Sequence, residues 1–260
     1  MNRVFLTLVI VIAIFVSGKL SFAQIEPISP DRPDQAESPK VIPVKSFQIE
    51  TGFLYEEDNQ DAGKVKNISY PSMLLRYGLL SNLELRMEIE NAKSITDSGG
   101  ISSSKNKISF ATIGAKLNVT EGKGLIPSVG LIINFTIPSL SSESLNTDYV
   151  GTSINLALQN NFTDELSVGY NLGAVWAGKT PEPTYFYTLS LDYELSKRFN
   201  GFVEVFGFMP EKSKANHMLD FGLSFLALNN LAFDASAGLG LTDNSPKFFI
   251  NGGFSLRLPR

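Results

Sequence analysis

Between Leu83 and Glu90 the chain reads Leu-Glu-Leu-Arg-Met-Glu-Ile-Glu, with every odd position apolar and every even position charged. A strand sends successive side chains to opposite faces, so this segment has one hydrocarbon face and one row of charges. A helix would scatter the same charges around its circumference. These residues belong in a sheet whose two faces meet different media.

The alternation recurs along the chain. Val129, Leu131, Ile133 and Phe135 oppose Ser128, Gly130, Asn134 and Thr136. Leu166, Val168, Tyr170, Leu172, Ala174 and Trp176 oppose Ser167, Gly169, Asn171 and Gly173. Tyr185, Tyr187, Leu189, Leu191, Tyr193 and Leu195 oppose Thr188, Ser190, Asp192 and Glu194. Phe248, Ile250, Phe254, Leu256 and Leu258 oppose Asn251, Gly253, Ser255 and Arg257. The pattern predicts about twelve strands, near 45–55, 67–77, 83–91, 107–119, 125–137, 148–162, 165–177, 184–195, 201–209, 216–226, 231–240 and 247–258. Alternate connections are short, such as Thr163–Asp164 and Ala227–Asn230. The others are longer or more polar, among them Glu56–Lys66, Ala92–Asn106 and Pro138–Thr147. An even strand count with tight turns at one end and longer loops at the other is the plan of an all-β, closed, antiparallel up-and-down transmembrane barrel.

A soluble sandwich also alternates, but three features favour lipid. The expected strands run about 9–14 residues, matching a tilted bilayer crossing rather than the shorter strands usual in globular sheets. Tyr55, Tyr77, Phe162, Trp176, Tyr185 and Tyr193 fall near strand ends on the apolar face, where aromatic rings form interfacial girdles. The opposite face carries charges and small residues suited to a wet lumen. Closure removes the sheet edges that lipid cannot satisfy.

Before the barrel come two other regimes. Residues 1–23 read as a cleaved signal peptide: Arg3, the apolar run Val4–Val16, then Ser21 and Ala23 before Gln24. That run is too short to span a bilayer as a helix. Residues 24–44 hold Pro27, Pro30, Pro33, Pro39 and Pro43, which predicts an extended N-terminal periplasmic arm. Residues 45–260 form the barrel. The expected location is the outer membrane of a Gram-negative bacterium, reached through the signal peptide, with lipid, lipopolysaccharide and the barrel-assembly machinery as partners.

Composition removes several functions. The chain has no cysteine, so disulfides, thiolate catalysis and thiolate metal sites are excluded. The formal charge of −4 argues against nucleic-acid binding. His217 is the one histidine; with Ser213 and Asp220 nearby it raises the thought of an acyl hydrolase, but a boundary histidine is the simpler reading. No enzyme activity, metal or cofactor is expected.

The C-terminal stretch Asn251-Gly252-Gly253-Phe254-Ser255-Leu256-Arg257-Leu258 resembles the assembly signal of outer-membrane barrels, with Asn251, Gly253, Leu256 and Leu258 as the matching positions. The ending is aliphatic where an aromatic is common, and Pro259-Arg260 follow. Asp31-Arg32-Pro33-Asp34-Gln35-Ala36-Glu37-Ser38-Pro39 and Phe47-Gln48-Ile49-Glu50-Thr51-Gly52-Phe53 resemble an outer-membrane transporter family named for the meta-pathway of phenol degradation. Tyr77-Gly78-Leu79, Leu83-Glu84-Leu85-Arg86 and Leu219-Asp220-Phe221-Gly222 resemble it too, so the likeness covers essentially the whole mature chain. The resemblance implies a barrel that passes small molecules, aromatic ones among them.

The candidate functional residues are the charges on the wet face: Arg76, Glu84, Arg86, Glu88, Glu90, Lys116, Asp192, Glu194, Glu204, Asp220, Asp234 and Arg257. Tight turns would set Arg76 opposite Glu84 and Asp192 opposite Glu204. Such charges can tune selectivity or fill a narrow lumen with salt bridges. In the arm, Asp31, Arg32, Asp34 and Glu37 are candidates for a latch that folds into the periplasmic mouth. The expected function is passive passage of small solutes, aromatic or hydrophobic ones included, through a narrow charged lumen. The alternative is a structural or surface-binding barrel whose lumen is self-blocked.

Overall fold

The computed structural model describes residues 26–60, 63–98, 101–136, 150–178 and 181–259. The stretch expected to be a signal peptide and the connection Pro138–Thr147 lie outside them. The strands are β1 (Phe47–Gln60), β2 (Gly63–Leu80), β3 (Leu83–Ser98), β4 (Ile101–Thr120), β5 (Ser128–Thr136), β6 (Thr152–Asn161), β7 (Leu166–Trp176), β8 (Thr184–Ser196), β9 (Phe199–Pro210), β10 (Asn216–Leu228), β11 (Leu231–Gly240) and β12 (Phe248–Leu258). Each pairs with its sequence neighbours, and β1 pairs antiparallel with β12 from Phe47↔Leu258 to Glu57↔Phe248. The result is a closed all-β barrel of twelve strands.

Parity decides which way each residue faces. On β10 Asp220 is fully buried inside while its neighbour Phe221 is 55% exposed outside. Leu172, Leu189, Leu191, Val203 and Leu223 are likewise exposed on the outer surface. A continuous apolar exterior of this kind would aggregate in water and is the band that meets lipid. No helix among the described residues is long and apolar enough to cross a membrane, and the chain would cross with strands instead.

Two hairpins differ from the sequence expectation. Glu56–Lys66 and Ala92–Asn106 read as loops, yet strand pairing continues through them, from Asp58↔Val65 on one hairpin and Lys93↔Asn106 on the other. Both faces of these extensions are polar in sequence, so alternation is silent there; backbone pairing needs no apolar face. At the opposite end β5 starts at Ser128 rather than Leu125, because Lys123 and Ile126 form a small turn ahead of Pro127.

Candidate functional site

The arm lies inside the barrel and follows the wall round. Ile28 N–H donates to Asn229 O in the β10–β11 turn. Arg32 reaches Asp234 on β11 and Asn251 on β12. Gln35 N–H then donates to Glu204 on β9 at 2.7 Å, and Glu37 N–H to Asn171 on β7 at 2.6 Å. Ser38 donates to Gln159 on β6, and Pro39 O accepts from Asn118 on β4. Pro39 passes so close to Gly130 on β5 that a Cβ there would lie 2.7 Å from its Cα. Ile42 N–H donates to Glu84 on β3, and Lys45 N–H to Gly78 O on β2 before β1 begins.

The sequence explains this collar. Its prolines keep the arm extended and supply no N–H. Its remaining amides must still be satisfied away from bulk water. Wall carboxylates and side-chain amides provide the acceptors, so an irregular segment can be accommodated without a sheet of its own.

Asp31 is the hub. Its carboxylate lies 2.7 Å from Arg86, 2.7 Å from Lys116 and 3.3 Å from Arg76. Burial alone would raise its pKa, but Arg76, Lys116 and Arg86 outweigh that and hold it well below the usual carboxylate range. Arg76 also forks onto Glu84, with both bonds 2.9 Å, and meets Glu50 at 2.8 Å. Glu37 adds a contact of 2.8 Å to Arg86. Arg76, Glu84, Glu50 and Lys116 are essentially inaccessible to solvent.

The opposite wall has another character. Glu204 stands directly across from Asp220, and Asp192 lies on neighbouring β8. Asp34 is set against them. Burial, then the charges of Glu204 and Asp192, push its carboxyl well above the ordinary range. A cavity of about 450 Å³ opens between this part of the arm and the wall, bordered by Ser29, Asp34, Glu37, Gln159, Asp192 and Phe202.

Two expected registers are corrected. Arg76 stands opposite Arg86, not Glu84, because β2 runs on past Tyr77 to Leu80, which moves the turn to Ser81–Asn82. The Arg76–Glu84 ion pair forms diagonally instead. Asp192 stands opposite Phe202, with Ser190 opposite Glu204, because β9 starts early, at Phe199, and the register shifts once more between Glu194 and Ser196. Both changes fall beside tight turns, where counting residues outward from the turn accumulates the error.

The remaining candidates sit as follows. Glu88 faces inward 3.8 Å from Arg86, and Glu90 lies farther along β3, partly buried. Glu194 borders the cavity mouth and is exposed. Asp234 pairs with Arg32 at 2.9 Å, and Arg257 donates to Glu26 O. Asn251 accepts from Arg32, and Leu256 and Leu258 pair across to Ile49 and Phe47 on β1. His217 does not join Ser213 and Asp220. Its Nδ1 meets the Tyr187 hydroxyl at 3.0 Å, while Asp220 faces the lumen.

Charge-based reading passed over three features. Gln48 and Glu50 are fully buried on the wet face of β1, which the parity rule alone identifies. Asn171 bonds the arm twice, through Glu37 N–H and Glu37 O. Phe206, Met218 and Phe249 face inward and cluster with Leu54 and Phe208. The Phe206 and Phe249 rings are 6.3 Å apart, and Phe206 meets Phe208 edge-on at 6.2 Å. These residues hide from a periodicity search because both parities are apolar there.

The fold is that of outer-membrane β-barrel channels and porins. It is similar to the COG4313 outer membrane channel from Pseudomonas putida F1, with a TM-score of 0.67, 11% identity, and coverage of 87% of this chain and 99% of that one. The NanC porin matches with a TM-score of 0.55 at 9% identity, covering 80% of this chain and 98% of that one. The KdgM porin gives 0.52 at 13% identity over the same shares. No curated protein matches in sequence. Residues 30–258 match the family model described as "Putative MetA-pathway of phenol degradation", and the chain belongs to that family.

Proposed function

We propose that the protein is a passive outer-membrane channel for small solutes, aromatic or hydrophobic ones included, delivered to the envelope by its signal peptide. The observation that carries this reading is the two-zone lumen. One zone is the charged belt around Asp31; the other is the apolar cluster of Phe206, Phe208, Met218 and Phe249. An aromatic ring gains by contact with the second zone, while the solvent-free ion pairs of the first narrow the path beside it. The names of the structurally similar proteins, channels and porins, agree with passage rather than chemistry.

In this reading Asp31, Arg32, Asp34 and Glu37 make the arm a latch that narrows the lumen, and the inward charges screen what passes. The experiment is permeation into proteoliposomes of purified protein, comparing phenol and benzyl alcohol with sugars of similar volume. Uptake above that of protein-free vesicles, greater for the aromatic solutes, supports the proposal. No uptake of any solute by correctly folded protein rejects it and favours the self-blocked barrel, for which the ion pairs across the lumen speak.

A further inference from the structure

Eleven of the twelve strand pairs are also joined by a connection in sequence; β1 and β12 are joined by the sheet alone. The arm bonds both sides of this seam at two places: Glu26 O and Ser29 O accept from Arg257 on β12 and Gln48 on β1, and the stretch Asp31–Pro33 makes the denser crossing. Glu50 Oε2 on β1 accepts from Asp31 N–H at 2.9 Å and Arg32 N–H at 3.2 Å. The Arg32 side chain turns the other way. Its Nη2 donates to Asn251 on β12 at 2.7 Å and to Asp234 on β11 at 2.9 Å, and its Nε to the second Asp234 oxygen at 3.3 Å. Asn251 returns a bond to Pro33 O at 3.3 Å.

The wall is cut to receive this side chain. Gly52 on β1 and Gly253 on β12 face each other directly across the seam. A Cβ on Gly52 would lie 2.4 Å from Arg32 Nη2, and one on Gly253 would lie 2.7 Å from it. The guanidinium occupies a notch that only a pair of glycines leaves open. Its planar fork matches the Asp234 carboxylate, and the pair is largely shielded from solvent.

We propose that Arg32 is a clasp on the barrel's closing seam. The stretch from Asp31 to Pro33 bonds β1 on one side and β11 and β12 on the other, so seating the arm and holding the seam shut are one event. Gly253, placed within the C-terminal assembly pattern, serves here as half the floor of the notch. This clasp is independent of whether the lumen conducts.

The test is amide hydrogen exchange on the purified barrel in detergent, comparing the wild type with Arg32→Ala. Loss of the charge-assisted bonds predicts exchange in β1 and β12 that is faster by about tenfold or more, with β6 and β7 unchanged. A second arm introduces cysteines at Thr51 and Phe254, which pair across the seam, and bridges them with a short bis-maleimide. That bridge should restore slow exchange to Arg32→Ala, whereas a bridge between Leu172 and Tyr187 on β7 and β8 should not. Unchanged exchange, a uniform increase around the barrel, or equal rescue by both bridges overturns the clasp. If Arg32→Ala alone does not fold, recovery by the seam bridge supports the proposal, and failure to recover overturns it.

Discussion

Asp31→Asn is the sharpest perturbation of the belt, because it removes one charge and almost no volume. Three cations lose a partner at once, but not equally. Arg76 keeps Glu50 and Glu84, and Arg86 keeps Glu37 and Glu84. Lys116, fully buried, keeps one ion pair, with Glu37 at 3.5 Å, and the charge of Glu84 opposite it on β3. Breaking a buried ion pair by removing one partner costs about 3–5 kcal/mol. The retained carboxylates place this case at the lower end. A loss of about 3 kcal/mol shifts the seated-to-unseated equilibrium of the arm by roughly a hundredfold, at about 1.4 kcal/mol per decade. The chain has no cysteine, so a single reporter is unambiguous. Ala36→Cys places one on a buried arm residue, and its reaction with a membrane-impermeant maleimide reads unseating. Asp31→Asn should speed labelling by about that factor while the barrel stays folded. Labelling as slow as in the parent would refute the hub assignment.

Three further outcomes follow from the same geometry. Asp34 carries a raised pKa, so the seated arm binds a proton that the free arm releases. Seating is unpenalised below the ordinary value of 3.8 and weakens as pH rises from there toward the raised value, so labelling of the same reporter, divided by that of a free thiol at each pH, should speed as pH rises, and Asp34→Asn should flatten that dependence. Phe206→Ala empties the centre of the apolar cluster; it should destabilise the barrel by about 3 kcal/mol in urea titrations and reduce the preference for aromatic solutes in vesicle uptake. Among the described residues the inward acids outnumber the inward bases, with Asp192, Glu204 and Asp220 gathered on one wall, so reversal potentials in an alkaline salt gradient, where these acids are ionised, should show cation preference, reduced in Glu204→Gln with Asp220→Asn.

How much was legible in the sequence depended on whether the two sheet faces met different media. Where one face meets lipid, as in Leu166–Trp176 or Leu231–Gly240, alternation located the strand to within a residue or so. The upper parts of β1 to β4 are largely polar in sequence on both faces, and the same rule missed their continuation from Glu56 and Ala92. Parity identified the inward charges, including Arg76, Glu84, Arg86 and Lys116. It could not give their partners, because the turn positions and the register shifts near Gly78 and Ser196 move every cross-strand neighbour. The arm was readable as extended from its prolines, but its route was not. That route depends on acceptors far apart in sequence, such as Glu204 for Gln35 and Asn171 for Glu37. The inward phenylalanines were hidden for the opposite reason: Phe202, Phe206 and Phe208 alternate with Val203, Val205 and Met209, so Glu204 alone marks the wet face of β9.

A passive lumen narrowed by the arm is tested most directly by single-channel recording in planar bilayers. The chain from Gln24 onward and the same chain lacking residues 24–40, each verified as folded by its gel shift on heating, are recorded under the same salt. Small stepwise conductances from the full chain, and clearly larger steps from the shortened one, are predicted. Silence from both folded barrels, or identical steps from the two, would contradict it.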